Sequence, residues 1–480
     1  MPPEGPQLVT KEILDACPRF RVLVVGRSGV GKSSLINYAF GIEKNSVSHQ
    51  ERGMCDINEE ITSAQNPRFV LHDSMGFEPG QTKNFEAAKE FLRSRTGDSV
   101  ALKDRVHVVW LCIQVPHAGG RVFETGDEVF LQLAFATKVP AIVVFTQFDK
   151  LITRMYPGLT AEEKKRPTEE INVLCAAKAH AEFQKLCVGP LLRMDSKLPY
   201  ARSSGLAGKR NSKPDQQALA LLIHITQRLM RDVATAAGDG QGVVPIVSAM
   251  AQRANAQVKI DGSIEVGMKR YWRGLASSTN FLGWKFEDCL STIHEEITDS
   301  WNFNDPNELL NGPEFVKKIK ILAQLVTPDN TEAKSWFENL DHIQALVGFG
   351  TTVVAATVGP AVAAIGLSIL FTQWMAGAYN KTPETLRCFM GYIVDLTLVM
   401  DHLFLVVLLN PPRPLTEEDI NEAVEKYKQS HMAKVHREIR QYVNKASFPD
   451  ILQSNKAEEK VKTLIKEYCA QNEPELLTPT

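Results

Sequence analysis

Eight residues near the start of the chain have the types and the spacing that bind a phosphate group. Residues 26–33 read Gly-Arg-Ser-Gly-Val-Gly-Lys-Ser and fit the pattern G-x-x-x-x-G-K-S/T. Glycines let the backbone wrap around a phosphate, which a side chain would block, and the loop N–H groups then point at the anion. Lys32 is predicted to reach the β- and γ-phosphates, and Ser33 to place its hydroxyl on Mg²⁺. The predicted phosphate-site residues are Gly26, Ser28, Gly29, Val30, Gly31, Lys32, Ser33 and Ser34.

The segments on either side of this loop are those that must position it. Residues 20–25 form a short apolar run typical of a buried parallel strand, and residues 34–40 have the pattern of the first turns of a helix. A helix N-terminus directs the positive end of its dipole at a bound anion. The flanking segments therefore favour a phosphate-binding loop over a chance match to the pattern.

A second motif follows the next pair of predicted strands. Residues 54–62 and 68–72 are predicted to be strands joined by a turn, and the second strand ends in Asp73-Ser74-Met75-Gly76, a D-x-x-G. An aspartate at the carboxyl end of a buried strand beside the phosphate loop is expected on the Mg²⁺ side. Asp73 is therefore a predicted metal ligand, and Gly76 is a predicted nucleotide contact.

Strands and helices alternate through the rest of the first half. Helices are predicted over residues 78–95 and 125–137, and strands over residues 106–115 and 141–145. The last of these strands ends in Thr146-Gln147-Phe148-Asp149. The alternation predicts an α/β fold of three layers, with a mostly parallel sheet covered by helices on both faces.

These motifs, in this order, resemble the GTP-binding domain (G domain) of P-loop regulatory GTPases, and the Era-like and septin-like branch more than the Ras-like one. The resemblance implies that GTP or GDP binds with Mg²⁺. The family's fourth motif is N-K-x-D, whose aspartate accepts two hydrogen bonds from guanine and would reject ATP; Asp149 stands at that position. Thr146 replaces the asparagine, and Gln147 replaces the lysine whose stem packs on the base. Both replacements are expected to weaken nucleotide binding, and a P-loop ATPase stays open as an alternative.

The family's last motif, S-A-x after a strand, is matched by Ser248 and Ala249. They follow residues 243–247, which are predicted to form a strand, and the resemblance implies that the Ala249 N–H reaches guanine O6. Residues at about 152–240 are interpreted as an insertion that either binds a partner or is a solvated loop. Within it we expect a charged loop and helix over 156–185, a surface loop over 193–216 and an amphipathic helix over 217–237.

The position after D-x-x-G, where a side chain can orient the attacking water, is occupied here by a residue that cannot form hydrogen bonds through its side chain. Ras-like proteins carry a glutamine after D-x-x-G, whereas this chain has Phe77, which cannot hold or deprotonate a water. The resemblance places Lys32 on the catalytic phosphates and predicts slow hydrolysis that a partner, a second copy of the domain or K⁺ raises. Ser48 is the predicted γ-phosphate and metal contact of the first loop. Arg52 in the same loop is either an arginine finger or a solvated side chain.

Residues after about 275 lose the strand pattern. The predicted organisation is a flexible leader over 1–17, a G domain over 18–275 and an all-α domain over 276–480. Thr416 and Asp419 have the spacing of a helix-capping box. Predicted helices cover residues 284–301, 314–326, 390–409, 416–443 and 455–470.

One apolar segment of the second half, residues 343–379, has no Asp, Glu, Lys or Arg. It is longer than the roughly 20 residues that a membrane-spanning helix needs. It is either a hairpin broken at Gly359 and Pro360 and buried in the helical domain, or a membrane-inserted segment. Its composition resembles the helical domains of immunity-related and dynamin-like GTPases. The helix over 390–409 carries Asp395, which favours packing against this segment over crossing lipid.

Composition narrows the class of protein. The 54 Lys and Arg residues against 56 Asp and Glu leave a net charge of −2, which argues against a protein-wide nucleic-acid surface. The eight cysteines are scattered, as in a reducing compartment, and no secretory signal is visible. We expect a cytoplasmic protein that is membrane-associated if residues 343–379 insert. The competing functions are a slow GTPase switch with an effector or activator protein or homodimerisation, a nucleotide-binding scaffold, and a membrane-associated GTPase.

Overall fold

The computed structural model describes residues 9–32, 35, 56–63, 66–74, 76, 82–116, 120–203, 213–236, 243–253, 255–263, 286–326, 383–409, 413–445 and 456–469. The chain divides into two compact units. One, the sheet unit, is Ala16–Asn255, and the other, the helical unit, combines Met1–Asp15 with Ala256–Thr480. The domain limits given above, with a boundary near 275, stay a prediction.

The first helix, α1, spans Val9–Ala16 and lies almost wholly within the helical unit. The prediction of a flexible leader is therefore wrong for residues 9–16. The backbone N–H of Thr10 donates to both carboxylate oxygens of Glu296, at 3.2 and 3.1 Å, and the Thr10 hydroxyl donates to the same carboxylate. A carboxylate at a helix N-terminus pairs with otherwise unbonded N–H groups and with the helix dipole. The partner that fixes this helix lies 286 residues away along the chain, so local composition could not reveal it.

The sheet unit is built on six strands in the order β2-β3-β1-β4-β5-β6 among the described residues. Only β2 and β3 pair antiparallel; each other neighbouring pair is parallel, which confirms the predicted fold class. The parallel strands bring the predicted motifs to one edge of the sheet, because their carboxyl ends lie together. The strands are β1 Phe20–Gly26, β2 Ile61–Ser63, β3 Asn66–Asp73, β4 Val108–Gln114, β5 Ala141–Thr146 and β6 Tyr200–Arg202.

Helices cover this sheet, and its central strands are buried along nearly their whole length, as their continuous apolar runs predict. The helices predicted over 78–95, 125–137 and 217–237 are confirmed as α2, α3 and α7. The helices of the unit are α2 Thr82–Ser94, α3 Thr125–Ala136, α4 Phe148–Met155, α5 Thr168–Phe183, α6 Gly189–Met194, α7 Lys213–Ala236 and α8 Val243–Ala251.

Three predictions in this unit are wrong in whole or in part. The strand predicted over residues 54–62 is confirmed only at its end, in β2, because the described residues before β2 form a turn. Residues 243–247 belong to helix α8, not to a strand. A short, continuously apolar run suits a buried helix as well as a buried strand, and Pro245 decides the matter: it is the third residue of α8, where its missing N–H is tolerated. The loop predicted over 193–216 contains β6, which pairs with β5 in the register Val144 with Ala201.

The helical unit packs around one long helix, α12. Every residue from 387 to 404 is buried, because α10, α11, α13, α14 and α15 all pack against it. The helices predicted in this half are confirmed, and both reciprocal hydrogen bonds of the Thr416 and Asp419 capping box are present. The helices are α9 Ala256–Ser263, α10 Phe286–Trp301, α11 Pro313–Gln324, α12 Pro383–Leu409, α13 Glu417–Tyr427, α14 Ala433–Lys445 and α15 Lys456–Glu467.

Charged and polar side chains on α12 are bonded inside this core. The Asp395 carboxylate accepts from the Tyr427 hydroxyl at 2.5 Å and from His436 Nε2 at 3.0 Å. Within the described chain, one helical stretch, Arg387–Leu408, is long and apolar enough to cross a membrane by length and composition, and its most apolar part is 83% buried inside the structure. A core helix passes the same test. The apolar segment 343–379 lies outside the described residues, so both interpretations of it stay predictions.

Replacement of Glu296 by alanine is expected to loosen α1 and to destabilise the helical unit. The buried N–H and hydroxyl of Thr10 would lose their acceptor, a change that typically removes about 1–3 kcal/mol from the free energy of unfolding. Hydrogen exchange should show α1 amides losing protection, and thermal unfolding should show a lower midpoint. The matched control is Glu422→Ala, which removes an exposed glutamate paired with Lys426. Equal effects of the two substitutions would contradict the role of Glu296.

Candidate functional site

The loop after β1 has the backbone conformation that its glycines require. Gly26 has a φ of +148°, and a Cβ built on it would lie 2.3 Å from the carbonyl oxygen of Cys112 on β4. Gly29 and Gly31 also have positive φ, +73° and +98°. A hydrogen bond of 3.0 Å from Leu35 N to Gly31 O has the spacing of one α-helical turn, and Lys32 and Leu35 are both helical. This is the strand, loop and helix start that the phosphate-binding pattern predicts.

The side chain of Lys32 folds back so that its ammonium group contacts the loop backbone. Its Nζ donates to the carbonyl oxygens of Gly26 and Arg27, each at 3.1 Å, and the side chain is buried. A buried ammonium group whose hydrogen bonds within the described chain go to neutral carbonyls is stabilised by nearby anions, which here are the Asp73 carboxylate and, in the predicted complex, a phosphate group. The loop therefore presents a fixed positive charge to a phosphate group.

Asp73 ends β3 next to this charge, in register with Val24 of β1. Its side chain is 8% exposed, and its Oδ1 has no hydrogen-bond partner among the described residues; the buried Oγ of Ser74 has none there either. Burial raises the pKa of Asp73 from 3.8 to about 6, and the charge of Lys32 opposes that rise. A buried carboxylate with an unpaired oxygen fits a cation that prefers oxygen ligands.

The donor set at this edge fits Mg²⁺ more closely than a metal held wholly by protein. Across the described part of the chain, no group of three or more His, Cys, Asp or Glu side chains could hold a metal ion. Mg²⁺ is commonly bound by one or two protein oxygens, with phosphate and water oxygens completing the shell. Asp73 is a suitable oxygen for such a site, and the predicted second ligand, Ser33, lies outside the described residues.

The D-x-x-G glycine lies directly on the phosphate loop. A Cβ on Gly76 would be 2.3 Å from the backbone N of Ser28, so only glycine fits. Asn84 on α2 donates from Nδ2 to the Gly76 carbonyl at 3.3 Å. The structure therefore brings Asp73 and Gly76 together with the loop, as the sequence predicts.

The Thr146-Gln147-Phe148-Asp149 motif is also bonded to the loop. Thr146 Oγ1 donates to Val30 O at 2.5 Å, and Gln147 Nε2 donates to Gly29 O at 2.9 Å. Asp149 lies in the first turn of α4 with its side chain partly exposed. The two side chains that differ from the family motif thus contact the loop, and the expected loss of nucleotide affinity stays a prediction.

Ser203 lies at the same sheet edge, and sequence reasoning missed it. It directly follows β6; its N–H donates to Phe145 O at 2.8 Å, and its carbonyl accepts from Phe148 N at 3.2 Å. Its buried Oγ has no hydrogen-bond partner within the described chain. Ser203 therefore lies beside the motif that carries Asp149. The sequence shows two serines after residues 200–202. A strand of three residues is too short for its side-chain alternation to be recognised, so these serines could not be placed at a strand end.

Ser248 and Ala249 do not lie at this position. Both are buried in α8, which packs against β1, β3 and α7, whereas β4 separates β1 from β5 in the sheet. The structure therefore does not bring them to the strand end that carries the fourth motif. The remaining predicted site residues lie outside the described residues and stay predictions: Ser33, Ser34, Ser48, Arg52 and Phe77.

Together, the described residues form a glycine-rich loop that carries a buried lysine, a buried carboxylate with one oxygen lacking a described hydrogen-bond partner, and a third motif followed by a carboxylate in the first turn of α4. All three lie at the carboxyl edge of one parallel sheet. Such an edge can hold a polyphosphate, a divalent cation and a heterocyclic base side by side.

Comparisons with known proteins match one stretch in the sheet unit and another in the helical unit. A family described as "50S ribosome-binding GTPase" matches residues 21–147, and one described as "Domain of unknown function (DUF8505)" matches residues 309–475. GTPase Der of Ureaplasma urealyticum serovar 10 is 27% identical over 141 residues, which cover 29% of this chain and 30% of that protein. GTPase Der of Mesoplasma florum is 26% identical over 160 residues, which cover 33% of this chain and 35% of that protein. The chain spans about a third of the length of the curated relatives it matches.

Proposed function

We propose that this chain, which contains the G domain of a P-loop regulatory GTPase together with a helical C-terminal region, binds GTP and GDP with Mg²⁺ and hydrolyses GTP slowly. The observation that carries the proposal is the buried carboxylate of Asp73 beside Lys32, whose Oδ1 has no hydrogen-bond partner among the described residues. It lies at the sheet edge where the fourth motif is bonded to the phosphate loop. Nucleotide exchange would act as a switch through the helical region.

Each group at the edge has a role that follows from its charge and position. The loop N–H groups and Lys32 bind the β- and γ-phosphates, and Ser33 with Asp73 supplies oxygen ligands. Mg²⁺, when bound, neutralises the charge that develops between the two phosphates. Asp149 accepts the guanine N–H groups, and we assign the strand-end position beside it to Ser203 in place of Ser248 and Ala249.

Slow turnover follows from Phe77, since its ring cannot orient a water. An activator protein, a second copy of the chain or K⁺ would then supply the missing group. The alternative is a nucleotide-dependent scaffold without useful turnover. Membrane association through residues 343–379 and a cytoplasmic location stay predictions.

Base specificity is the direct test of nucleotide binding. Asp149→Asn is expected to weaken GTP binding by about 100-fold or more and to improve binding of xanthosine nucleotides, because the amide leaves a guanine donor unpaired and pairs with the xanthine carbonyl. Fluorescent-nucleotide titration measures both affinities. Asp98→Asn, at a fully exposed aspartate of the same unit, is the control and should change neither affinity.

Unsubstituted protein that prefers ATP to GTP would contradict the proposed guanine specificity. Multiple-turnover phosphate release, measured with and without K⁺, separates the slow GTPase from the scaffold. GTP binding without any release in both conditions would leave the scaffold as the function.

A further inference from the structure

A glutamine outside the recognised motifs joins the base-binding side of the site to the phosphate loop. Gln114 is the last residue of β4 and is paired in register with Thr146 of β5. Its Nε2 donates to Gln147 Oε1 at 2.8 Å, and Gln147 Nε2 donates to Gly29 O at 2.9 Å. Three segments are thus connected in series: the end of β4, the fourth motif and the phosphate loop.

The chemistry of an amide explains why a second glutamine is needed. A lysine at position 147 would carry donors only, so it could hold the Gly29 carbonyl without a further partner. A glutamine has a donor end and an acceptor end of nearly the same shape, and its hydrogen bonds decide which end faces the loop. By donating to Oε1, Gln114 turns the donor end of Gln147 toward Gly29 O.

The backbone of Gln147 also depends on its surroundings. Its φ is +60° and its ψ is +37°, in the left-handed region. Residues other than glycine rarely adopt this conformation, which costs about 1–2 kcal/mol. The bonds at both ends of the Gln147 side chain hold the residue in place at this turn.

The bonds to the loop fix where its N–H groups point. In a trans peptide unit the C=O and the following N–H point in opposite directions. Gln147 donates to the Gly29 carbonyl and so fixes the direction of the Val30 N–H in the same peptide unit. Thr146 donates to the Val30 carbonyl and so fixes the direction of the Gly31 N–H. The fourth motif therefore orients two consecutive N–H groups of the phosphate loop away from itself.

We propose that Gln114 is a positioning residue for nucleotide binding: it orients the Gln147 amide so that the fourth motif holds the phosphate loop in its anion-binding conformation. This inference rests on the proposed binding of guanine nucleotides. Under this proposal, Gln147 can take the place of the family's lysine only because Gln114 orients its amide.

The test is a double-substitution cycle read by nucleotide affinity. Gln114→Leu is expected to weaken GDP and GTP binding by about 5- to 10-fold, the usual effect of losing one well-placed hydrogen bond. In a Gln147→Lys background the same substitution should change affinity by less than about 2-fold, because a lysine needs no acceptor partner. Gln132→Leu, at an exposed glutamine on α3, is the matched control and should have no effect. Thermal unfolding without nucleotide checks that each variant is folded.

Three results would overturn the proposal. The first is equal loss of affinity from Gln114→Leu in both backgrounds, which would make Gln114 a direct or purely structural contributor. The second is unchanged affinity in a protein that binds GTP normally. The third is failure of the unsubstituted protein to bind any guanine nucleotide, which would overturn the proposed function as well.

Discussion

Asp73→Asn is expected to raise the stability of the nucleotide-free protein at neutral pH while removing the dependence of GTP binding on Mg²⁺. Asp73 is buried, and its pKa in the folded protein is about 6, against an ordinary value of 3.8. A gap of this size corresponds to roughly 3 kcal/mol of unfavourable free energy when the carboxylate is charged. The neutral amide avoids most of that cost, so we expect a gain of about 1–2 kcal/mol after allowing for its own buried polar atoms.

The sign of the pH dependence follows from the direction of this shift. A carboxyl group whose pKa is higher in the folded state favours folding when protonated, and this contribution is lost as pH rises through about 6. The stability gain of the Asp73→Asn variant should therefore be clear at pH 7.5 and should shrink toward pH 4. The quantity to compare is the difference in the free energy of unfolding between the variant and the parent at each pH. The buried histidines affect both proteins equally and cancel in this difference, among them His72, whose pKa burial lowers to about 4.

Urea unfolding with a chelator present measures the stability, and GTP titration with and without Mg²⁺ measures the metal dependence. Asp98→Asn is again the control, since it neutralises an exposed aspartate of the same unit. A variant that is less stable than the parent at pH 7.5 would contradict the interpretation that burial of the charged Asp73 carboxylate costs more than its interaction with Lys32 returns.

Gly26→Ala is expected to prevent stable folding of the sheet unit. The added Cβ would lie 2.3 Å from the Cys112 carbonyl oxygen, which belongs to a central strand and cannot move without breaking the pairing of β1 with β4. The φ of +148° is also one that alanine rarely adopts. Clashes of this kind are among the few single substitutions that lower the free energy of unfolding by more than about 4 kcal/mol.

Gly29→Ala is the matched comparison for this prediction. Gly29 also has a positive φ, +73°, but a Cβ there would meet nothing within 4 Å. It should therefore cost only about 1–2 kcal/mol of backbone strain and leave a folded protein. Soluble yield, circular dichroism and urea unfolding distinguish the two variants, and similar stabilities would refute the argument from close approach.

The motifs next to long apolar strands could be predicted because each needs only local information. Gly26, Asp73 and Thr146 all end strands that contain a buried, mainly apolar run, and parallel strands place such ends together. Their meeting at one edge follows from strand type and chain order alone. The phosphate loop and its carboxylate were therefore accessible from the sequence.

The last strand could not be predicted, because pairing, not local pattern, creates it. Residues 200–202 lie between a proline and a pair of serines, and they become a strand by hydrogen bonding to β5, as in the 3.1 Å bond from Val143 N to Pro199 O. The longer apolar run at 243–247 matched the expected strand better and is a buried helix instead. Ser203 was missed and Ser248 was chosen for the same reason. Gln114 was missed because its role depends on a single contact with Gln147.

The placement of α1 has a consequence for the order in which the chain folds. The residues of the sheet unit are synthesised without interruption from Ala16 to Asn255, so this unit can complete its structure during translation. Helix α1 leaves the ribosome before the sheet unit, yet its carboxylate partner, Glu296, lies 286 residues beyond Thr10 along the chain. A helix of eight residues is marginal in water by itself. Helix α1 can therefore become stable only after Glu296 has been made, when every residue of the sheet unit has already been synthesised.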